Sequence, residues 1–387
     1  MTTDLNRESQ FRPDIQALRA LAVGLVVAYH ANIPGIHGGF LGVDVFFVIS
    51  GFVITGVLLA ERDRSQGTSL LDFYARRIRR ILPAATVVTI GTIFATYHWL
   101  GFITGRSVAE DAKWVTIFFG NFHFAAIGTA YLTASQPPST LQQFWSLAVE
   151  EQFYLLWPLL FSLVVLVARR YSREVLLGTL ALIAISSFAW SVIETNGNSV
   201  WAFFSPLTRA WELAIGAGLA VAVPYLKGKN SQLGLALSSV GLAGIALATW
   251  LVSATTKWPG SMVALPVLST GLVIAGGTLR HGAQRPSWSS WAPLQWVGNI
   301  SYSLYLIHWP VLTIATQYSL TPLPLHSELL LVLVSLALAA ALHYAVENPF
   351  RRARFLLTQR WVTLAVGVAM IALSYGVIIW HQHNQGL

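Results

Sequence analysis

Long apolar stretches alternate with short polar segments along almost the whole chain. Eleven of these stretches approach or reach the length of about 20 residues that a membrane-spanning helix needs. They cover residues 15–33, 40–59, 81–101, 144–168, 175–194, 206–226, 232–251, 262–279, 294–318, 329–346 and 361–380. Because only helices and closed barrels satisfy their backbone in lipid, the pattern predicts an all-α fold, a polytopic membrane helical bundle of about 10–11 transmembrane helices.

Composition and charge support a multi-pass membrane protein. The 387 residues are 55% hydrophobic and 10% charged, with no cysteine, whereas soluble domains average about 25% charged residues. With a cytoplasmic N-terminus, all but four of the 24 lysines and arginines fall on the cytoplasmic side, as the positive-inside rule requires. The placement of the net charge of +8 thus indicates topology and not nucleic-acid binding. We expect one domain over residues 1–387 in the inner or plasma membrane, with the C-terminus outside.

The first apolar stretch contains two ionisable residues, Arg19 and His30. Eleven residues at 100° each return to nearly the same helix face, about 16 Å further along the axis. Either residue alone has a structural explanation, as a snorkelling anchor or a satisfied polar group. Ionisable groups inside a membrane segment usually belong to a site, and together the two favour function. Histidine accepts a proton near neutral pH, so His30 is the candidate general base or transient acyl carrier.

Acidic residues near the outer helix ends are candidates to orient His30. Asp44 begins the second span at the predicted depth of His30, and its alternative role is a helix cap. Glu150 and Glu151 begin the fourth span, where adjacent residues point about 100° apart. At most one of them therefore faces a given cavity. Glu150 is the candidate to orient His30, and Glu151 is a candidate substrate-pocket residue.

The loop before the third span carries a basic cluster. The sequence FYARRIRRILP (residues 73–83) contains Arg76, Arg77, Arg79 and Arg80. Such clusters set topology and bind lipid headgroups. Guanidinium groups also grip phosphate oxygens in pairs, so the same cluster suits a phosphorylated ligand such as coenzyme A.

The ninth span, ISYSLYLIHWP (residues 300–310), supplies Tyr302, Tyr305 and His308 as candidate substrate-pocket residues. His308 is equally compatible with a core histidine bonded to a tyrosine. Pro310 is expected to break this helix near mid-membrane, because proline lacks the backbone donor. Elsewhere, the three-residue spacing of Arg209 and Glu212 predicts a buried ion pair.

These motifs occur in one order: RPDIQALRALAVGLVVAYHA, GGFLGVDVFFVISGFVIT, FYARRIRRILP, FWSLAVEEQFYLLWP, ISYSLYLIHWP and VENPFRR. In that order and spacing they resemble the acyltransferase-3 family of integral membrane O-acyltransferases, in particular the branch that modifies bacterial surface polysaccharides. The resemblance covers residues 12–352 and leaves residues 361–380 as an extra final helix.

The resemblance implies transfer of an acyl group, commonly acetyl, from cytoplasmic acyl-CoA to a sugar hydroxyl outside. Arg19 and His30 match the family's signature in the first helix, with His30 as the catalytic residue. Arg77 and Arg80 match the loop arginines, and Glu347 matches the acid before the proline; Arg76 and Arg79 remain candidates for the same role. Many members of this branch continue into an external SGNH-type domain. The resemblance therefore leaves two alternatives: the chain acts alone, or a separate SGNH-type protein is its partner and completes the transfer.

The hypothesis is that the loop arginines, with Arg19, hold acyl-CoA by its phosphates while the thioester reaches His30. Asp44 or Glu150 then orients the imidazole. No metal ligand set is recognised. Two alternatives stay open: a transporter or flippase of a lipid-linked glycan, which a broken ninth helix would suit, and acylation of a small glycosylated metabolite.

Overall fold

The fold is a bundle of eleven long helices, each overlapping one of the predicted spans. The computed structural model describes residues 12–65, 69–128, 137–228, 230–280 and 287–384. In these ranges the long helices are α1 (Pro13–His30), α2 (Gly42–Ser65), α3 (Leu70–Thr116), α4 (Phe144–Ala168), α5 (Ser172–Gly197), α6 (Pro206–Leu226), α7 (Ser231–Leu251), α8 (Ala264–Leu279), α9 (Ala292–Ser319), α10 (Leu325–Leu342) and α11 (Arg360–Asn384). Short helical segments cover Gly39–Leu41, Gly120–Ala126, Arg169–Tyr171, Ser199–Phe204, Ser287–Ser290, His343–Glu347, Asn348–Arg352 and Arg354–Thr358.

Seven of the described helices are long and apolar enough to cross a membrane by length and composition alone. The other four long helices are α1, α6, α8 and α9. Of these, α8 has only 16 residues, and α1 and α6 carry charged side chains in their interiors. The chain is therefore a multi-pass membrane protein.

Small residues let two central helices approach closely. A Cβ atom added at Gly51 of α2 would collide with the backbone carbonyl of Leu213 in α6, and one added at Gly216 of α6 would collide with the carbonyl of Val48 in α2. Small residues at such crossings allow backbones to pack in direct contact. Gly51 of the second span and Gly216 of the sixth thus have a packing role.

Helix α3 contains a kink that separates its membrane-length part from an extension. Gly101 has φ +80° inside the helix, a conformation that glycine adopts without steric cost. The predicted third span ends at this same glycine. The extension runs to Thr116, and a short helix, Gly120–Ala126, follows it.

The predicted break of the ninth span at Pro310 is wrong. Helix α9 runs unbroken from Ala292 to Ser319 with Pro310 inside it. Proline removes the hydrogen bond to the carbonyl four residues earlier, here that of Leu306. The side chain of Gln143 donates to this carbonyl through Nε2 at 3.0 Å. The freed backbone acceptor is thus satisfied by a neighbouring segment and the helix continues.

A single π-helical turn, His343–Glu347, follows α10. Such turns are rare and frequently occur at functional sites. Here the turn ends on Glu347, the acid singled out by the family resemblance.

Candidate functional site

A cavity of about 800 Å³ opens among the N-terminal half of α1, α2, the start of α3 and α9. Its volume lies within the range of small-molecule sites, roughly 300–1,000 Å³. Its charged lining residues are Arg12, Arg19, Glu61, Arg76, Arg77, Arg80, Glu150 and Lys227. We call the end that holds the α3 arginines the basic end. Cations outnumber acids around this cavity, which favours an anionic ligand.

The three lining arginines of α3 differ in how much of their hydrogen-bonding capacity the protein uses. Arg76 forms an ion pair with Glu61. Nη2 of Arg77 lies 3.6 Å from Oε1 of Glu151. In the part of the chain that the structure describes, Arg80 makes no hydrogen bond or ion pair with a protein side chain. A guanidinium lining a cavity with donors to spare is placed to bind a carboxylate or phosphate.

Arg79, the fourth predicted arginine of the cluster, lies elsewhere. Its side chain is buried and does not line the cavity, and Nη1 donates to the backbone carbonyl of Leu356 at 2.5 Å. Arg79 therefore anchors the segment before α11, and its predicted role in binding acyl-CoA is corrected. At 100° per residue, position 79 lies about 160° around the helix from position 77, so the side chains of Arg77 and Arg79 project to nearly opposite sides of α3.

The two adjacent acids of α4 separate as their helical spacing predicts. Glu150 lines the cavity, where it accepts hydrogen bonds from Ser50 at 2.9 Å and from Tyr154 at 3.1 Å. Glu151 does not line the cavity but faces Arg77, so its predicted place in the substrate pocket is corrected. The Arg77 guanidinium also lies over the Tyr154 ring, 3.9 Å from its centre. Arg77 is thus held in place by both an acid and an aromatic face.

Glu347 is buried beside the cavity and is not among its lining residues. Its Oε2 accepts hydrogen bonds from Ser303 and pairs with Nδ1 of His343, both at 2.8 Å. A carboxylate repels phosphate, so direct contact with an acyl-CoA phosphate is not the role this geometry supports. It is close enough to Arg19 and Arg80 to attract both electrostatically.

Tyr302 and Tyr305 line the cavity, as predicted for pocket residues. Tyr302 donates to the backbone carbonyl of Ile81 at 2.8 Å. The Tyr305 hydroxyl lies 2.6 Å from Oγ of Ser146, which also lines the cavity, and its ring centre lies 5.6 Å from that of His308. Tyr305 therefore both lines the cavity and contacts His308.

His30 ends α1 and meets α9. Its Nδ1 lies 3.1 Å from Nε2 of His308, and the two rings are nearly parallel, with an interplanar angle of 17°. The Trp309 ring stands edge-on to His30 with centres 4.5 Å apart. Neither histidine is among the lining residues of the cavity, so the predicted contact of His308 with substrate is replaced by contact with His30. Contacts of Tyr305 with His308, and of His308 with His30, connect the cavity lining to His30.

Asp44 has a partner other than the predicted one. Its Oδ1 lies 2.6 Å from Nη1 of Arg209, which also lies 3.0 Å from Oε1 of Glu212. The predicted pairing of Arg209 with Glu212 is confirmed, and Asp44 completes it as a triad. Asp44 faces α6, whereas the His30 ring packs against α9, so the orienting role predicted for Asp44 is not what the geometry supports.

Sequence reasoning missed two cations of the cavity, Arg12 and Lys227. Arg12 bonds Asp14 through both Nε and Nη2, at 2.8 and 2.6 Å. Both residues flank apolar stretches, where a basic residue is the ordinary topological signal. No sequence signal therefore separated them from the other basic residues at helix ends. In the described ranges, no group of three His, Asp or Glu side chains is placed to hold a metal ion.

The fold and the site define a multi-pass helical membrane protein with a mainly cationic cavity next to a histidine pair. The acyltransferase domain family matches residues 12–378 of this chain. The match passes residue 352, where the resemblance was expected to end, and includes most of α11. The chain belongs to the acyltransferase-3 family.

Two curated relatives illustrate the similarity. The peptidoglycan O-acetyltransferase OatA of Listeria monocytogenes is 31% identical over 373 residues, which cover 92% of this chain and 58% of the relative. The O-acetyltransferase OatA of Staphylococcus aureus is 28% identical over 362 residues, covering 89% of this chain and 58% of the relative. The chain thus spans a little over half of the length of these relatives. No solved structure matches it.

Proposed function

We propose that this chain transfers an acetyl group from acetyl-CoA to a hydroxyl of a cell-envelope glycan. The observation that carries the proposal is the cavity lined by Arg19, Arg77 and Arg80 and also by Tyr305, whose ring contacts His308 of the His30–His308 pair. Phosphates of coenzyme A suit the guanidinium groups. The O-acetyltransferase activity of both relatives supports acetyl as the transferred group, and the peptidoglycan O-acetyltransferase of Listeria monocytogenes supports a glycan acceptor.

In the proposed reaction, His30 acts as the general base. The acceptor oxygen attacks the thioester carbonyl carbon and gives up its proton to the imidazole. The carbon–sulfur bond then breaks, and the proton passes from the imidazole to the departing thiolate. The products are the acetyl ester and coenzyme A with a free thiol, so no net proton is consumed.

The proposed orientation places the basic end at the cytoplasm and His30 towards the outside. The distribution of lysine and arginine supports this orientation, because basic residues concentrate on the cytoplasmic side of membrane proteins. It also places the proposed phosphate-binding arginines on the side where acetyl-CoA is found. A glycan outside then approaches His30 from the opposite end of α1. The transporter alternative loses one of its supports, since α9 is not broken.

Inverted membrane vesicles carrying this chain, with acetyl-CoA labelled in the acetyl group outside and fragments of cell-envelope glycan inside, test the proposal. We expect label to appear on the glycan as an alkali-labile ester, and we expect His30→Ala to abolish it. His326→Ala, at an exposed histidine, is the matched control and keeps the activity. Equal labelling by the His30→Ala protein would remove His30 from the mechanism. Unlabelled glycan with wild-type protein, whichever glycan is supplied, would contradict the transferase proposal.

A further inference from the structure

His308 has two ring nitrogens with different partners, and one partner fixes the position of its proton. Its Nδ1 lies 3.1 Å from the backbone carbonyl oxygen of Leu304. A carbonyl oxygen only accepts hydrogen bonds, so this contact requires a proton on Nδ1. In a neutral ring, Nε2 then carries a lone pair.

That lone pair faces His30. Nε2 of His308 lies 3.1 Å from Nδ1 of His30, within hydrogen-bond distance. Since Nε2 of His308 accepts, Nδ1 of His30 must donate. The neutral imidazole of His30 therefore carries its proton on Nδ1 and its lone pair on Nε2.

The surroundings favour a neutral His308. Its side chain is completely buried, and its ring lies edge to edge with that of His30, with ring centres 5.3 Å apart. Aromatic rings pack against both histidines: Tyr29 and Trp309 against His30, and Tyr305 against His308. A charge on the His308 imidazole would be desolvated there, which favours the neutral ring that accepts at Nε2.

We propose that His308 is a positioning residue that holds His30 in the tautomer with Nε2 as the basic atom. This inference rests on the proposed acetyl transfer, to which it adds the atom that removes the hydroxyl proton. In the triads of hydrolases an acidic side chain holds the catalytic histidine in this way. Here His308 has this role, and the backbone carbonyl of Leu304 in the same helix orients His308 in turn. Asp44 is engaged by Arg209 instead.

Nitrogen NMR on the full chain in lipid bilayers reads the tautomer without any activity assay. Protein labelled with ¹⁵N-histidine is measured, and the His30 signals are assigned as those lost in His30→Gln. We expect wild-type His30 to show a protonated Nδ1 and an unprotonated Nε2. In His308→Leu, which removes the acceptor, the population with a proton on Nε2 should rise. A proton on Nε2 in the wild type, or an unchanged tautomer in His308→Leu, would overturn the inference.

Kinetics provide the second readout. Removing the group that orients a metal-bound histidine typically costs 10–100-fold in activity, and we expect a comparable loss in kcat of His308→Leu, with KM for acetyl-CoA unchanged. His308→Gln offers a carbonyl oxygen as acceptor and should recover most of the loss, whereas His326→Leu at an exposed histidine should leave both constants unchanged. Equal rates in His308→Leu and wild type would refute the positioning role. Failure of the positioning role and failure of the proposed function give different results. An active His30→Ala protein contradicts the proposed function, whereas an unchanged tautomer and rate in His308→Leu contradict only the positioning role.

Discussion

Oδ1 of Asp44 lies 2.6 Å from Nη1 of Arg209, and both side chains are almost completely inaccessible to solvent. The pair joins α2 to α6 where glycines let the two helices pack in contact. Glu212 adds a second carboxylate to the same nitrogen. The contact makes Asp44 part of the scaffold that holds the site.

Replacing Arg209 with leucine is expected to lower the free energy of unfolding by about 3–5 kcal/mol, the cost of leaving a buried partner charge uncompensated. The measurement is thermal unfolding of the detergent-solubilised protein. Arg354→Leu, at an exposed arginine, is the control and should melt like the wild type. An Arg209→Leu protein as stable as Arg354→Leu would show that the buried pair contributes nothing.

Arg80 and Arg79 should give opposite phenotypes although they are neighbours. Arg80→Ala removes charged hydrogen bonds to a ligand, worth about 1.5–3 kcal/mol, so KM for acetyl-CoA should rise roughly 10–100-fold. Arg79→Ala breaks only the anchor on Leu356, so it should lower the melting temperature and leave KM unchanged. KM and melting temperature measured on both proteins decide the matter. An Arg80→Ala enzyme with normal KM would leave the basic cluster with a topological role only.

Gln143 should matter only because position 310 is proline. Gln143→Leu leaves the Leu306 carbonyl without a donor, at a cost of about 1–3 kcal/mol. In a Pro310→Ala background the new backbone N–H at residue 310 can donate to that carbonyl, so the same substitution should cost less. A double-mutant cycle of unfolding free energies measures the difference. Equal costs in the two backgrounds would mean that Gln143 does not compensate for the proline.

Tyr305 should limit the length of the acyl chain. Tyr305 lines the cavity and its ring contacts His308, and leucine there would leave space for additional methylene groups. Each buried methylene is worth about 0.8 kcal/mol, so the kcat/KM ratio of propionyl-CoA to acetyl-CoA should rise about fourfold in Tyr305→Leu. Tyr318→Leu, at an exposed tyrosine, serves as the control. An unchanged ratio would place the acyl group elsewhere.

The helices and their approximate bounds were predictable from the sequence. The fourth and sixth spans, for example, were predicted with the bounds that α4 and α6 have. A membrane segment must satisfy its backbone within itself, so apolar length alone locates it. The break at Pro310 was wrongly predicted because the compensating donor, Gln143, is distant in sequence.

Residue types within the site were predictable, but their partners were not. The sequence alone determined the helical bundle, the basic cluster, the ionisable residues of α1 and the family, because these depend on local composition and motif order. Only the tertiary structure decided that His30 contacts His308, that Asp44 pairs with Arg209 and that Arg79 binds the Leu356 carbonyl outside the cavity. Those outcomes depend on how each helix is rotated against its neighbours, and that rotation is set by side-chain packing between segments far apart in the chain.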